Sequence, residues 1–122
     1  MFNKMKQFTS IEQTAKLIEL GFEKPKGWYT DGVTNNINLY VNITRYPMMF
    51  NYSVGELLSF LPQEIKVDKY EEPAYIQMLY DEEGLWEVGY TFYGNGMTIK
   101  RDTELIDCLF QMCVRLKEEK VI

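Results

Sequence analysis

The chain has no histidine, only two cysteines and four prolines in 122 residues, and nowhere a run of roughly 18 apolar residues that would cross a bilayer. Without histidine it lacks the side chain most used for proton transfer near neutral pH and the commonest transition-metal ligand, so the reading is non-enzymatic, with no catalytic, metal or cofactor-binding residue to nominate. Basic residues are outnumbered, 13 against 18 acidic, for a formal net charge of −5. That balance opposes duplex nucleic acid, which wants a basic face. The opening "MFNKMKQF" lacks the apolar core of a signal peptide. The expected location is therefore the cytoplasm, with no membrane partner. Cys108 and Cys113 lie about 140° apart around a helix axis, too far to pair with each other or share a metal. They are expected reduced, Cys113 buried and Cys108 at the rim.

Hydrophobic residues make up 46% of the chain, enough to build one packed core, so residues 1–122 are expected to form a single domain. Thr9 and Ser10 each precede an acid or amide at the third following position, Glu12 and Gln13, which marks a helix start. That helix runs to about Leu20, where Gly21 supplies the left-handed stop. In "NINLYVNITRY", Ile37, Leu39, Val41 and Ile43 alternate with Asn38, Tyr40, Asn42 and Thr44, the period of a half-buried strand. An aromatic piece at Trp28 and Tyr29 is its expected antiparallel neighbour. In "YSVGELLSFLP", Ser53 and Glu56 form a capping box, Tyr52 staples onto Leu57, and the helix ends before Pro62.

The segment from Ala74 to Arg101 fits a meander. A three-residue loop at Glu82-Glu83-Gly84 sets Tyr80 opposite Trp86, Met78 opposite Val88 and Ile76 opposite Tyr90. A two-residue loop at Asn95-Gly96 sets Phe92 opposite Ile99 and Tyr93 opposite Thr98. The same glycines in "YGNGMTIKRD" are too close together for a phosphate loop, and a strand rather than a helix follows them. Asp102 is read as the cap of a last helix whose stripe of Leu105, Ile106, Leu109, Met112, Cys113 and Leu116 faces the sheet. The expected class is α+β: a two-layer domain with an antiparallel sheet of four to five strands, including the C-terminal-half meander, and helices packed on one face.

Two surfaces are candidates for function. "YPMMFNY" places Tyr46, Met48, Met49 and Phe50 in an expected connection, more apolar than a surface loop needs. Leu17 and Leu20 lie off the stripe of Ile11, Ala15, Ile18 and Phe22, so the first helix is apolar on two sides and suits a protein partner or a second copy. The alternative is a small-ligand site for a sugar or nucleotide, with Tyr40 stacking between Asn38 and Asn42. The carboxylates at Glu71-Glu72 and Asp81-Glu82-Glu83 fit no calcium loop and are read as solvated turns.

The stretches "SIEQTAKLIELGF", "YSVGELLSFLP" and "WEVGY", with the closing "ELIDCLFQMCVRL", resemble a group of small uncharacterised proteins from phages and other mobile elements of gut anaerobic bacteria. The resemblance implies a cytoplasmic accessory protein and carries over no site residue. Together these features lead to a non-enzymatic protein-interaction or accessory module, with self-association among its expected modes.

Overall fold

The structure is a computed structural model that describes residues 6–30, 37–39, 49–66, 73–92 and 95–122. The described elements run α1 (Ile11–Glu19), β1 (Trp28–Thr30), β2 (Ile37–Leu39), β3 (Met49–Asn51), α2 (Val54–Phe60), β4 (Glu64–Ile65), β5 (Ala74–Tyr80), β6 (Trp86–Phe92), β7 (Asn95–Asp102) and α3 (Leu105–Glu118). The protein is α+β. An antiparallel sheet in the order β4-β5-β6-β7 carries helices packed against it, and a second antiparallel sheet has the order β2-β1-β3.

Both early helices start where their side chains can satisfy orphan backbone donors. Ser10 Oγ accepts from the Gln13 amide at 3.1 Å while Gln13 Oε1 accepts from the Ser10 amide at 2.9 Å. Ser53 and Glu56 repeat the exchange at 3.2 Å in each direction. Gly21 stops α1 at φ +98, a conformation that costs a side-chain-bearing residue roughly 1–2 kcal/mol. α2 ends at Phe60 with an extended Leu61 before Pro62.

The first hairpin of the meander has the expected register, with Tyr80 opposite Trp86, Met78 opposite Val88 and Ile76 opposite Tyr90. Gly84 turns the loop at φ +82. Asp81 Oδ1 holds it by accepting from the amides of Glu83 at 2.9 Å and Leu85 at 3.0 Å. The second hairpin departs from expectation. Phe92 faces Asn95, not Ile99; Tyr90 faces Thr98, Gly89 faces Ile99, and the register shifts between Tyr90 and Thr91. Asn95 and Gly96 are therefore strand residues, and Tyr93 and Gly94 lie outside the described residues. The observed register sets Arg101 opposite Glu87, where its guanidinium meets Glu87 at 2.8 Å and Asp81 at 2.7 Å. The expected pairing would have set Arg101 across from the buried Tyr90, and opposite charges on one face favour the alternative.

Two further expectations are corrected at α3. Asp102 ends β7, and its carboxylate accepts from the Glu104 amide at 3.3 Å; the cap position belongs to Glu104, which makes no side-chain cap bond. Cys108 is not at the rim but fully buried, as is Cys113, and both are free thiols. The stripe Leu105, Ile106, Leu109, Met112, Cys113 and Leu116 is buried as its spacing predicts. α3 packs on β6, β7, α2 and α1, joining Val88, Tyr90, Leu57 and Leu17 into one core.

A polar seam runs through this apolar interior. Thr9 Oγ1 lies 2.7 Å from Thr14 Oγ1, the Tyr52 amide donates to Thr9 Oγ1 at 3.0 Å, and Asn51 Nδ2 donates to the Thr9 carbonyl at 2.8 Å. All three polar side chains are buried, and their mutual bonds remove the penalty that unpaired polar groups would incur there.

Candidate functional site

Helix α1 turns two different faces to its surroundings. Thr14 and Leu17 point inward, and the Gln13 amide group ties the helix to α3 through Asp107 Oδ1 at 2.7 Å. Ile11, Ala15 and Ile18, spaced i, i+4 and i+7, share another face. Beyond the turn at Gly21 the chain doubles back and buries Pro25. Strand β3 then runs against β1 with Phe50 opposite Tyr29, and the pleat sends consecutive side chains opposite ways. Asn51 enters the polar seam, while the half-buried Phe50 turns to the α1 side.

These elements enclose a cleft of about 400 Å³ lined by Ile11, Thr14, Ala15, Ile18, Lys24, Pro25 and Phe50. Ile11, Ala15 and Lys24 are exposed, and Thr14 and Pro25 are buried at its base. The lining is mostly hydrocarbon, and Lys24 contributes its one ionised group. A second cleft, about 390 Å³, lies along α3 and is lined by Lys16, Lys100, Phe110, Gln111, Val114, Arg115, Glu118 and Glu119. Its charges are of both signs, and Arg115 is already matched to Glu119 at 2.9 Å. The α1 cleft is thus the better-defined apolar receptor.

The residues nominated from sequence fare unequally. Phe50 is in the α1 cleft. Met49 and Phe50, however, are not in a connection, because Met49–Asn51 forms β3; period-two alternation is hidden in so short an apolar run. Leu17 is corrected outright: it is 0% exposed and belongs to the core, so it offers nothing to a partner. Leu20 is half-buried at the C-cap of α1. Of the ligand triad, Asn38 is described only as a strand residue opposite Tyr29, and Tyr40 and Asn42 lie outside the described residues, as do Tyr46, Met48, Glu71 and Glu72. The residues that sequence reasoning missed are Ile11, Ala15, Ile18 and Pro25. The first three were visible as a helical stripe, but Leu17 and Leu20, which lie off it, were nominated in their place; Pro25, beyond the helix, had no such signal.

Neither cysteine is poised as a nucleophile. Burial pushes the Cys113 thiol up to about 12. Burial, with the nearby Asp102 carboxylate, pushes Cys108 up to about 11. Both are then thiols rather than thiolates at neutral pH. Among the described residues no three histidine, cysteine, aspartate or glutamate side chains gather in a way that holds a metal ion. Asp81 is held below the usual aspartate range by the Leu85 amide and then by Arg101, the role of a turn-stabilising carboxylate. No described helix is long and apolar enough to cross a membrane.

Comparison with protein families, with characterised proteins and with solved structures finds no match to this chain.

Proposed function

We propose that the protein is a non-enzymatic interaction module whose α1 cleft receives apolar side chains from a protein partner, in the accessory role that its resemblance to phage and mobile-element proteins implies. The observation behind this reading is the outer stripe of α1. Ile11, Ala15 and Ile18 line a hydrocarbon cleft together with Phe50, and Ile11 remains 40% exposed. A helix with one face in the core keeps an apolar second face at a cost in solubility, and such faces mark contact sites. The partner's insert is an uncharged aliphatic or aromatic segment, because a buried ion would find no counter-charge but Lys24.

Photocrosslinking tests the reading. A photoreactive residue in place of Ala15 is expected to trap one discrete protein in cells, and the Ile18→Asp change is expected to abolish the product. The same probe in place of the exposed Glu19 is expected to trap nothing distinct. Equal labelling at both positions would refute the cleft as a docking site.

The cleft volume also favours a second reading, a small apolar ligand, since such sites span roughly 300–1,000 Å³. Thermal-shift screening separates the two. A ligand that binds only the folded state raises the melting temperature with concentration, and Ile18→Asp is expected to remove that rise.

A further inference from the structure

Strand β5 has two unlike halves. β4 covers its start, pairing Glu64 with Tyr75 and Ile65 with Ala74, and the Ile76 amide donates to the Gln63 carbonyl at 2.9 Å. No described strand pairs with its outer edge beyond Ile76. The hydrogen-bond pattern fixes which groups face outward. The Asp81 amide donates to Leu85 O at 2.9 Å, on the β6 side, so odd-numbered residues bond inward. Even-numbered residues bond outward, as Ile76 does toward Gln63. The amides and carbonyls of Met78 and Tyr80 therefore point at the open edge, in the alternation an antiparallel strand requires.

The side chains along this edge are also unusual. Met78 is 42% exposed, Leu79 48% and Tyr80 63%, and Tyr75 is exposed as well. Natural proteins protect edges with lysine, proline, inward charges or bulges. The stretch Ala74–Tyr80, AYIQMLY, has no charge and no proline, and it pairs with β6 without a bulge. In a chain with 18 acidic and 13 basic residues, this strand brings no charge of its own to another copy, and the Asp81 carboxylate just beyond it is already matched by Arg101 at 2.7 Å.

From this we infer that a second copy of the chain docks along the outer edge of β5, antiparallel and two-fold symmetric, joining the two four-stranded sheets into one. Parity selects the register. A two-fold axis perpendicular to the sheet keeps each face on its own side, so a residue meets one of the same parity. With the axis at Leu79, the outward groups of Met78 meet those of Tyr80 in the other copy, and the reciprocal pair meets as well. Four backbone hydrogen bonds close, and the two Leu79 side chains form a close non-hydrogen-bonded pair. Met78 packs on Tyr80 across the axis, and Gln77 faces Asp81. The hairpin loop after Asp81 turns toward its own β6, clear of the other copy's β4. This inference stands apart from the α1 cleft, since none of its residues lines that site.

Sedimentation of the full chain from micromolar to near-millimolar concentration tests the interface. The mass is expected to rise from one chain of 14.5 kDa toward two, and Leu79→Lys, which sets two like charges face to face at a solvated position, is expected to keep it at one. An independent trap uses Leu79→Cys. Directly opposed residues have Cβ atoms about 4.5–5.5 Å apart, so mild oxidation is expected to give a disulfide-linked dimer, whereas Tyr75→Cys gives none; Cys108 and Cys113 are buried and do not compete. A wild-type monomer throughout the concentration range overturns the proposal. So does a dimer that survives Leu79→Lys and fails to crosslink through Leu79→Cys, which places the contact elsewhere, including at the α1 cleft.

Discussion

Helices α1 and α3 resemble each other in sequence far more than in use. Both carry aliphatic residues at helical spacing. In α3 the stripe is core, with Leu105, Ile106, Cys108, Leu109, Met112, Cys113 and Leu116 all buried. In α1 the conspicuous stripe Ile11, Ala15 and Ile18 lines an open cleft; the residues of the helix that are fully buried are Thr14 and Leu17, and Ile18 is half-buried against the edge of the core. The difference comes from the number of neighbours. α3 meets two strands and both other helices, whereas α1 touches β3 and one side of α3. A helix at the rim of a fold has one face to bury, so a second apolar face is free for a different purpose. The helices also differ at their starts. α1 has a full capping box, and α3, held by packing, has no side-chain cap bond.

Cavity-forming substitutions are the strongest way to break this contrast. Leu109→Ala and Leu17→Ala are each expected to cost about 2–5 kcal/mol in urea denaturation, while Ile11→Ala stays within about 0.5 kcal/mol. If Leu17→Ala proves as mild as Ile11→Ala, the two faces of α1 have been assigned the wrong way round. Next in size, Asn51→Ala leaves the Thr9 carbonyl buried without its amide donor and is expected to cost about 1–3 kcal/mol; Asn51→Asp is expected to be at least as harmful, since the carboxylate supplies no donor. The caps sharpen the comparison at about 1 kcal/mol. Ser10→Ala is expected to lower stability by that amount, and Glu104→Ala by no more than about 0.5 kcal/mol.

The smallest effect near neutrality is in pH dependence, and it comes from the buried thiols of α3 together with the buried phenols of Tyr90 and Tyr52. Cys108 and Cys113, with Tyr90 pushed up to about 12 by burial, hold their protons more tightly folded than unfolded. The folded state therefore binds more protons, and stability falls as pH rises. The loss begins above the unfolded cysteine pKa of about 8.5 and is absent at pH 7. Chemical denaturation from pH 7 to pH 11 is expected to show a falling midpoint, with a shallower fall in Cys113→Val. A thiol reagent at pH 8 is expected to label the native chain slowly and the denatured chain at both cysteines.

Much of the fold was legible because local chemistry and tertiary context agreed. Ser10, Gly21, Ser53 and Gly84 sit at positions where one residue type solves a backbone problem, and each ended or began an element as read. The first meander hairpin followed from its loop length. The second did not, because Asn95-Gly96 has the composition of a tight turn, whereas the observed register matches Arg101 with Glu87 and Asp81, a pairing that spacing does not reveal. The α1 cleft was half legible. Phe50 was singled out, and the helix was recognised as apolar on two sides, but periodicity gives a direction around an axis without saying which direction faces inward. Leu17 was misplaced for that reason. The buried bonds of Thr9, Thr14 and Asn51 had no signal at all, since Thr9 bonds both Thr14, five residues on, and Asn51, 42 residues on, through geometry that only the folded chain creates.

The position of α3 in the order of elements has a consequence for synthesis. It follows every other described element in the chain, yet the other helices and strands β6 and β7 lean on it. Upstream, the Lys6 ammonium reaches forward to Asp107 at 3.1 Å. While the ribosome is still making the meander, the nascent polypeptide can zip hairpins but has nothing to seal them against. The face of β6 that carries Val88 and Tyr90 is then without its lid. A ribosome that pauses before Leu105 therefore leaves a sticky half-product, and the rate at which the last turns emerge decides how much of it escapes self-adhesion.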